Sequence, residues 1–313
     1  MLKLYCVDCG ELKESSRANL KDALWIDAIA PSNEEVELLN KEFKIQLQDV
    51  ADCLDPNERS RVEIDEDYDL LVLRSLITNG RGQETAQTMP IGIFATPEKV
   101  ITVRIVATFS ALDILADFKR RPRINNVEDL FLALIRRMNR DIDRRVRPME
   151  GQISSIQKSV LSRGPNVAEN AYKLNSELII LNTALLSNYN AVSMLSRAKH
   201  LEFTEDQSDL LEDLENDVAQ LYDMTTIYRE IVSNVLRAHE SAVSNSLSTV
   251  MKTLTVITLT LMLPTLIASL YGMNIGLEGL PFFDFEFQFW VIIAITAIAV
   301  VILWVVFRIK KIL

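Results

Sequence analysis

The sequence is poor in the residues from which redox and metal centres are built, with three cysteines and two histidines in 313 residues. So few cysteines exclude a disulfide-built scaffold. Cys6 and Cys9 form a Cys-x-x-Cys pair and Cys53 stands apart. A zinc site would have to draw its remaining ligands from His200 and His239, both on expected long helices, so no structural metal or other cofactor is expected. The nine glycines form no phosphate-cradling pattern, and no catalytic triad or carboxylate pair stands out, so the chain is not expected to be an enzyme. Lys and Arg number 33 against 43 Asp and Glu, a net charge of -10 that argues against nucleic acid as a partner.

Charge is missing locally as well. None occurs from Thr253 to Tyr271 or from Phe289 to Phe307, and each run of about 19 residues suffices to cross ~30 Å of hydrocarbon as helix. Lys252 precedes the first run, and Arg308, Lys310 and Lys311 close the second, whereas the connection 272–288 holds Glu278, Asp284 and Glu286 without any Lys or Arg. The distribution of cations predicts a multi-pass protein of the cell inner (plasma) membrane, with both termini cytoplasmic and the loop 272–288 outside. Met1-Leu2-Lys3-Leu4 leads directly to Asp8 and Glu11, so no signal peptide is expected.

An α+β membrane protein follows, divided at 1–125, 126–252 and 253–313. Runs rich in β-branched and aromatic residues at 2–7, 23–29, 68–77, 91–95 and 100–105 read as strands of a cytoplasmic α/β domain, the last two as a hairpin. Ser32-Asn33-Glu34-Glu35 is a capping box opening a helix through about Phe43. Beyond Asn126 the period becomes helical. Ile135, Met138, Ile142, Met149, Ile153, Ile156 and Val160 form one run, Ser162-Arg163-Gly164-Pro165 breaks it, and a second run, Leu174 to Leu195, returns as the other arm of a helical hairpin. Leu211, Leu214, Val218, Leu221, Thr225, Tyr228, Val232 and Val235 keep a heptad in a third run that no Gly or Pro interrupts before Pro264. One helix of about 65 residues, roughly 100 Å, is expected from near Glu205 into the first span; the alternative is a hinge in the serine-rich stretch 241–248.

The two spans differ in chemistry. Thr253, Thr255, Thr258, Thr260, Thr265 and Ser269 lie in the first, and Thr296 is the sole hydroxyl of the second. Met251, Leu254, Thr258, Met262, Thr265 and Ser269 share one helical face, suited either to lining water or to packing against another helix. Neither span carries an ionisable group, which argues against a proton relay. Two helices cannot enclose a path, so conduction needs several copies. With axes ~9 Å apart, a ring of four leaves a free radius of about 1.4 Å, five about 2.7 Å and six about 4 Å. An ion that keeps a first shell of waters at about 2.1 Å would not pass a ring of four.

Tyr271-Gly272-Met273-Asn274 stands at the outer end of the first span, before a short loop and a second span that ends in basic residues. This constellation resembles the CorA family of magnesium channels, the Gly-Met-Asn proteins, and the likeness extends upstream through 228–233 and 241–251. The resemblance implies a funnel-shaped homopentamer in the lipid bilayer, with the first span lining the pore. It implies an outer mouth at Tyr271, Gly272, Met273 and Asn274, whose carbonyl and carboxamide oxygens accept hydrogen bonds from the waters of a hydrated cation. It places Leu254 and Met262 at apolar narrowings and Ser269 where a small residue is usual. Ser248 departs from the Asn expected near the inner mouth. Glu278 is suited to attracting cations, or is part of a solvated acidic loop. The family's regulation by Mg²⁺ between neighbouring cytoplasmic domains maps onto Asp213, in an acid-rich stretch that also reads as a solvated helix face; Asp65, Glu66, Asp67 and Asp69 are possible partner carboxylates. Mg²⁺ is thus expected as both substrate and regulatory ligand. The function implied is Mg²⁺ influx, with Co²⁺ and Ni²⁺, closed by cytoplasmic Mg²⁺. A Zn²⁺ transporter of the same superfamily is the alternative, and a non-conducting membrane-anchored coiled-coil scaffold is a second.

Overall fold

The computed structural model describes residues 1–8, 11–14, 20, 22–77, 86–108, 114, 124–161, 166–273 and 287–310. The alternating apolar runs of the first hundred residues form strands: β1 (Leu2–Asp8), β2 (Glu11–Glu14), β3 (Trp25–Ile29), β4 (Arg61–Ile64), β5 (Asp69–Leu76), β6 (Thr88–Ala95) and β7 (Val100–Arg104). Among the described residues they make one sheet in the order β2-β1-β3-β7-β6-β5-β4. β3 and β7 run parallel, and the other neighbouring pairs are antiparallel, including the expected β6–β7 hairpin. The edge strands β2 and β4 were not expected. Both are four residues long and charged, which blunts an edge against pairing with other chains and also erases the apolar alternation.

Alternation along β5 assigns its side chains to two layers. Leu70 and Val72 pack with Leu39 of α1 (Asn33–Phe43) and with Val50 and Cys53 of α2 (Leu47–Cys53). Leu71 and Leu73 pack on the opposite face with Leu130, Phe131 and Leu134 of α3 (Val127–Val146). The helix α1 starts at the expected capping box, in which the Ser32 hydroxyl accepts from the Glu35 amide and the Glu35 carboxylate from the Ser32 amide.

Charge is buried at the centre of the sheet. Arg104 on β7 donates to both oxygens of Asp27 on β3, Nε to Oδ1 at 3.0 Å and Nη2 to Oδ2 at 2.6 Å. The Thr102 hydroxyl donates to Asp27 at 2.8 Å and accepts from the Trp25 indole at 2.9 Å. Arg104 and Asp27 are each 1% exposed, so the pair is sound only because hydrogen bonds surround it.

The run from Ile135 to Val160, expected as one helix, is two. Pro148 has no amide to donate and its ring crowds the preceding turn, so α3 stops at Val146 and α4 (Met149–Leu161) starts after the proline. The expected break at 162–165 lies outside the described residues. α5 (Val167–Val192) returns along α4, and a 3₁₀ turn (Leu195–Arg197) follows. The third helical run is one helix, α6 (Glu205–Tyr271), unbroken at the serine-rich stretch, and α7 (Gln288–Ile309) contains the second apolar run. Leu211 and Leu214 of α6 join the sheet core, while Val218, Leu221, Val232 and Val235 pack with α4 and α5.

α5 is apolar enough to qualify as a membrane span by length and composition, as are α6 and α7. Half of its apolar window is buried in protein, however, and three of its polar side chains are bonded there. Glu177 accepts from Arg145, and Asn182 donates to the Thr225 and Thr226 hydroxyls at 3.0 and 2.8 Å. Asn188 accepts from the Arg74 amide at 2.8 Å and donates to its carbonyl at 2.9 Å, joining α5 to β5. The chain divides into two compact units, Met1–Leu236 and Arg237–Leu313. The expected region 1–125 and the part of the expected region 126–252 that precedes Arg237 share one core in the first of them.

Gly92 on β6 is required by space. A Cβ there would lie 2.1 Å from Cys53 Sγ and 3.1 Å from Cys53 Cβ. Gly92→Ala is expected to destabilise the protein by about 1–3 kcal/mol through this overlap. Combining it with Cys53→Ala should recover part of the loss in thermal melting of the detergent-solubilised chain; strictly additive losses would show that the contact is not the cause.

Candidate functional site

In the second unit the first apolar run of α6 divides into two faces. Val256, Thr260, Leu263, Pro264, Ile267 and Tyr271 are buried or half-buried. Pro264, Ile267 and Tyr271 border a groove of about 790 Å³ whose other wall is α7, with Ile292, Thr296 and Val300. The predicted stripe Met251, Leu254, Thr258, Met262, Thr265 and Ser269 lies on the opposite face and is exposed throughout. Contact with α7 therefore does not explain its hydroxyls.

The stripe continues upstream in a way that the sequence reading missed. Val243, Leu247 and Val250 are 46, 62 and 63% exposed. Their spacing of four and three leads directly to Leu254, a signal that was present in the sequence but lay outside the uncharged run.

The threonine hydroxyl protons of this run are committed to the helix backbone. Thr258 Oγ1 donates to the Leu254 carbonyl at 2.9 Å and Thr265 Oγ1 to the Leu261 carbonyl at 2.6 Å. Thr253, Thr255 and Thr260 bond in the same way, each to the carbonyl four residues back. An oxygen that donates inward has only lone pairs left to offer outward. The exposed face thus alternates thioether and aliphatic groups with acceptor oxygens. Such a surface can take hydrogen bonds from the polarised waters of a cation but supplies no carboxylate to strip or retain it.

At the C-terminal end of α6, the Gly272 amide closes the last turn on the Ala268 carbonyl at 3.0 Å, and Met273 is 48% exposed. Tyr271 is half-buried beside the groove. Asn274 and Glu278, expected at the mouth and in the acidic loop, lie outside the described residues, as do Cys9 and the remaining loop acids.

The expected regulatory position, Asp213, is exposed on α6, turned away from the buried Leu211 and Leu214. Three of the four suggested partner carboxylates are occupied within the chain. Asp65 accepts from Gln46 Nε2 and from the Glu66 amide, both at 2.6 Å, and these bonds, the Glu66 amide foremost, hold its carboxyl below the usual range. Asp67 pairs with Lys44 at 2.6 Å, and Asp69 accepts from the Lys199 and His200 amides at 2.9 and 2.5 Å. Among the described residues, no group of three or more His, Cys, Asp or Glu side chains is arranged to hold a metal. Cys6 is half-buried and Cys53 is buried, and burial pushes the Cys53 thiol well above its ordinary value, which keeps it unreactive.

Three comparisons with known proteins bear on this arrangement. The Cobalt/magnesium transport protein CorA of Methanocaldococcus jannaschii is 27% identical over 292 residues, covering 91% of this chain and 90% of that protein. The complete structure of the CorA magnesium transporter from the same organism superposes with a TM-score of 0.81 at 23% identity, covering 98% of this chain and 97% of that one. The ZntB cytoplasmic domain from Vibrio parahaemolyticus has the same fold over 78% of this chain and 98% of its own, with a TM-score of 0.63 at 14% identity. The sequence model described as CorA-like Mg²⁺ transporter protein matches residues 21–311, and the chain belongs to that family.

Proposed function

We propose that this chain is one subunit of a homopentameric channel that admits Mg²⁺, together with Co²⁺ and Ni²⁺, down its electrochemical gradient. The observation that carries the proposal is the uncovered face of the first span, which runs from Met251 to Ser269 and leads to Tyr271-Gly272-Met273-Asn274. Relatives named as cobalt/magnesium and magnesium transport proteins agree with it. Five such faces around an axis leave a free radius of about 2.7 Å, enough for a hydrated Mg²⁺ once the helices part slightly. The acceptor oxygens of Thr258 and Thr265 hold the hydration waters, while Met251, Leu254 and Met262 form apolar constrictions that block ions when they dewet. Asn274 and the Gly272 carbonyl form the outer ring, and Glu278 raises the local cation concentration.

In this scheme the basic flanks Lys252, Arg308 and Lys310 are cytoplasmic. Mg²⁺ bound at Asp213 between neighbouring copies favours the closed assembly, because the acid-rich surfaces of α6 repel one another without it. The likeness to the ZntB cytoplasmic domain favours a second reading, Zn²⁺ transport on the same scaffold.

Flux into vesicles containing purified protein tests the central claim. Mg²⁺ entry should occur, and Asn274→Ala should reduce it by about tenfold or more, corresponding to at least ~1.4 kcal/mol of lost ion stabilisation. Zn²⁺ flux without Mg²⁺ flux would favour the second reading, and no flux of either ion would leave a scaffold. Lining is tested separately in a cysteine-free background: Thr258→Cys and Thr265→Cys should react with a charged thiol reagent, and Ile267→Cys, which borders the groove, should resist it. Equal reactivity at all three positions would remove the proposed lining. Asp213→Ala should weaken inhibition by internal Mg²⁺, and unchanged inhibition would exclude that residue.

A further inference from the structure

The end of the two spans opposite Tyr271 carries charge that the chain does not balance. Pro264 and Val300 border the same groove; from them Lys252 lies about 18 Å along α6 and Lys310 about 15 Å along α7, so the two lysines reach nearly the same level. Lys252 is about one turn beyond Val256 and continues the buried stripe of α6. Lys310 follows Phe307, the last half-buried residue of α7, by just under a turn. Between them in α7 is Arg308, whose guanidinium carbon lies 5.5 Å from the centroid of the Trp304 ring.

All three basic side chains are exposed, and none has an ion pair or a hydrogen bond among the described residues. No Asp or Glu occurs from Ser241 to Tyr271 or from Gln288 to Leu313. Three cations at one level of two adjoining helices repel one another, and an anion among them would remove that repulsion. Their position selects the kind of anion. Both uncharged runs begin or end at these residues, which puts the cations where hydrocarbon gives way to headgroups. Trp304, 48% exposed, lies one turn deeper, at the depth where an aromatic ring meets acyl chains. The five N–H groups of Arg308 are unused within the chain and match the oxygens of a phosphate.

We propose that the basic end of α6 and α7 binds the headgroup of an anionic phospholipid. The phosphodiester oxygens accept from Arg308, Lys252 and Lys310 add charge from the two helices, and an acyl chain lies along Trp304. A zwitterionic phospholipid carries the same phosphodiester together with a cation that the lysines repel, so the site discriminates by net charge and not by phosphate alone. The proposal rests on the reading that both uncharged runs cross a bilayer, and on neither the identity of the conducted ion nor the existence of a pore.

Trp304 reports occupancy of the site. Full-length Trp290→Phe protein is placed in phosphatidylcholine vesicles that contain a small fraction of either phosphatidylglycerol or phosphatidylcholine with brominated acyl chains, which quench tryptophan on contact. Trp25, 0% exposed within the sheet, is out of their reach. Brominated phosphatidylglycerol should associate with Trp304 roughly tenfold more strongly than brominated phosphatidylcholine. Arg308→Gln and Lys252→Gln should each cut this preference by about fivefold, the share of one cation at a membrane surface. Both side chains are exposed, so neither substitution disturbs packing. Equal quenching by the two lipids would overturn the proposal, as would a preference that survives either substitution. If neither lipid quenches Trp304, the membrane reading fails and the proposal with it, whereas a lipid preference without ion flux would count against the channel alone.

Discussion

The ion pair between Asp27 and Arg104 is the point on which the architecture of the first unit depends. It crosses the parallel junction of β3 and β7, where a strand from the start of the chain meets one that follows a long excursion through α1, α2 and β4 to β6. Hydrophobic pairing alone would tolerate a slip of this junction by two residues, because the same faces would remain buried. A slip would separate the guanidinium from a carboxylate that has no water nearby to replace it. Thr102 and Trp25 extend the bonding across the two strands, so register is fixed by direction as well as by burial. On the sheet so fixed rests α3, and on α3 and its neighbours rests the first part of α6.

α6 meets two environments with one periodicity. Up to Val235 its apolar stripe is covered by other elements of the chain, and from Arg237 onward most of its surface is open. An apolar helix surface open to lipid is ordinary, but Val243 and Leu247 precede the uncharged run and are exposed, with no cover among the described residues. A row of this kind calls for neighbouring copies, in keeping with the assembly proposed from the spans.

The sequence made the large features legible because they depend on long periods. The heptad of α6, the uncharged runs and the capping box at Ser32 each rest on several residues in a fixed pattern, and each appears in the structure. What was not legible depends on single residues or on distant partners. Pro148 divides an apolar repeat that otherwise reads through without a break, since side-chain spacing is blind to one missing amide. β2 and β4 are edge strands whose charges hide them. Of the site, the stripe could be seen in the sequence, but its freedom from α7 could not, because that depends on which face the second span covers.

The apolar character of α5 has a consequence for how the chain is made. Emerging from a ribosome, Val167–Val192 presents the insertion machinery with a stretch of span-like length before either true span appears. Glu177 lies near its middle, and an acidic side chain at that depth opposes transfer into lipid by about 2.5–3.5 kcal/mol. Asn182 and Asn188 oppose it further. The three residues that bond to Arg145, to Thr225 and Thr226, and to Arg74 in the fold thus also weigh against transfer of α5 into lipid. Of these partners only Thr225 and Thr226 follow α5 in the chain, so the polarity of Asn182 opposes insertion before its own hydrogen bonds can form.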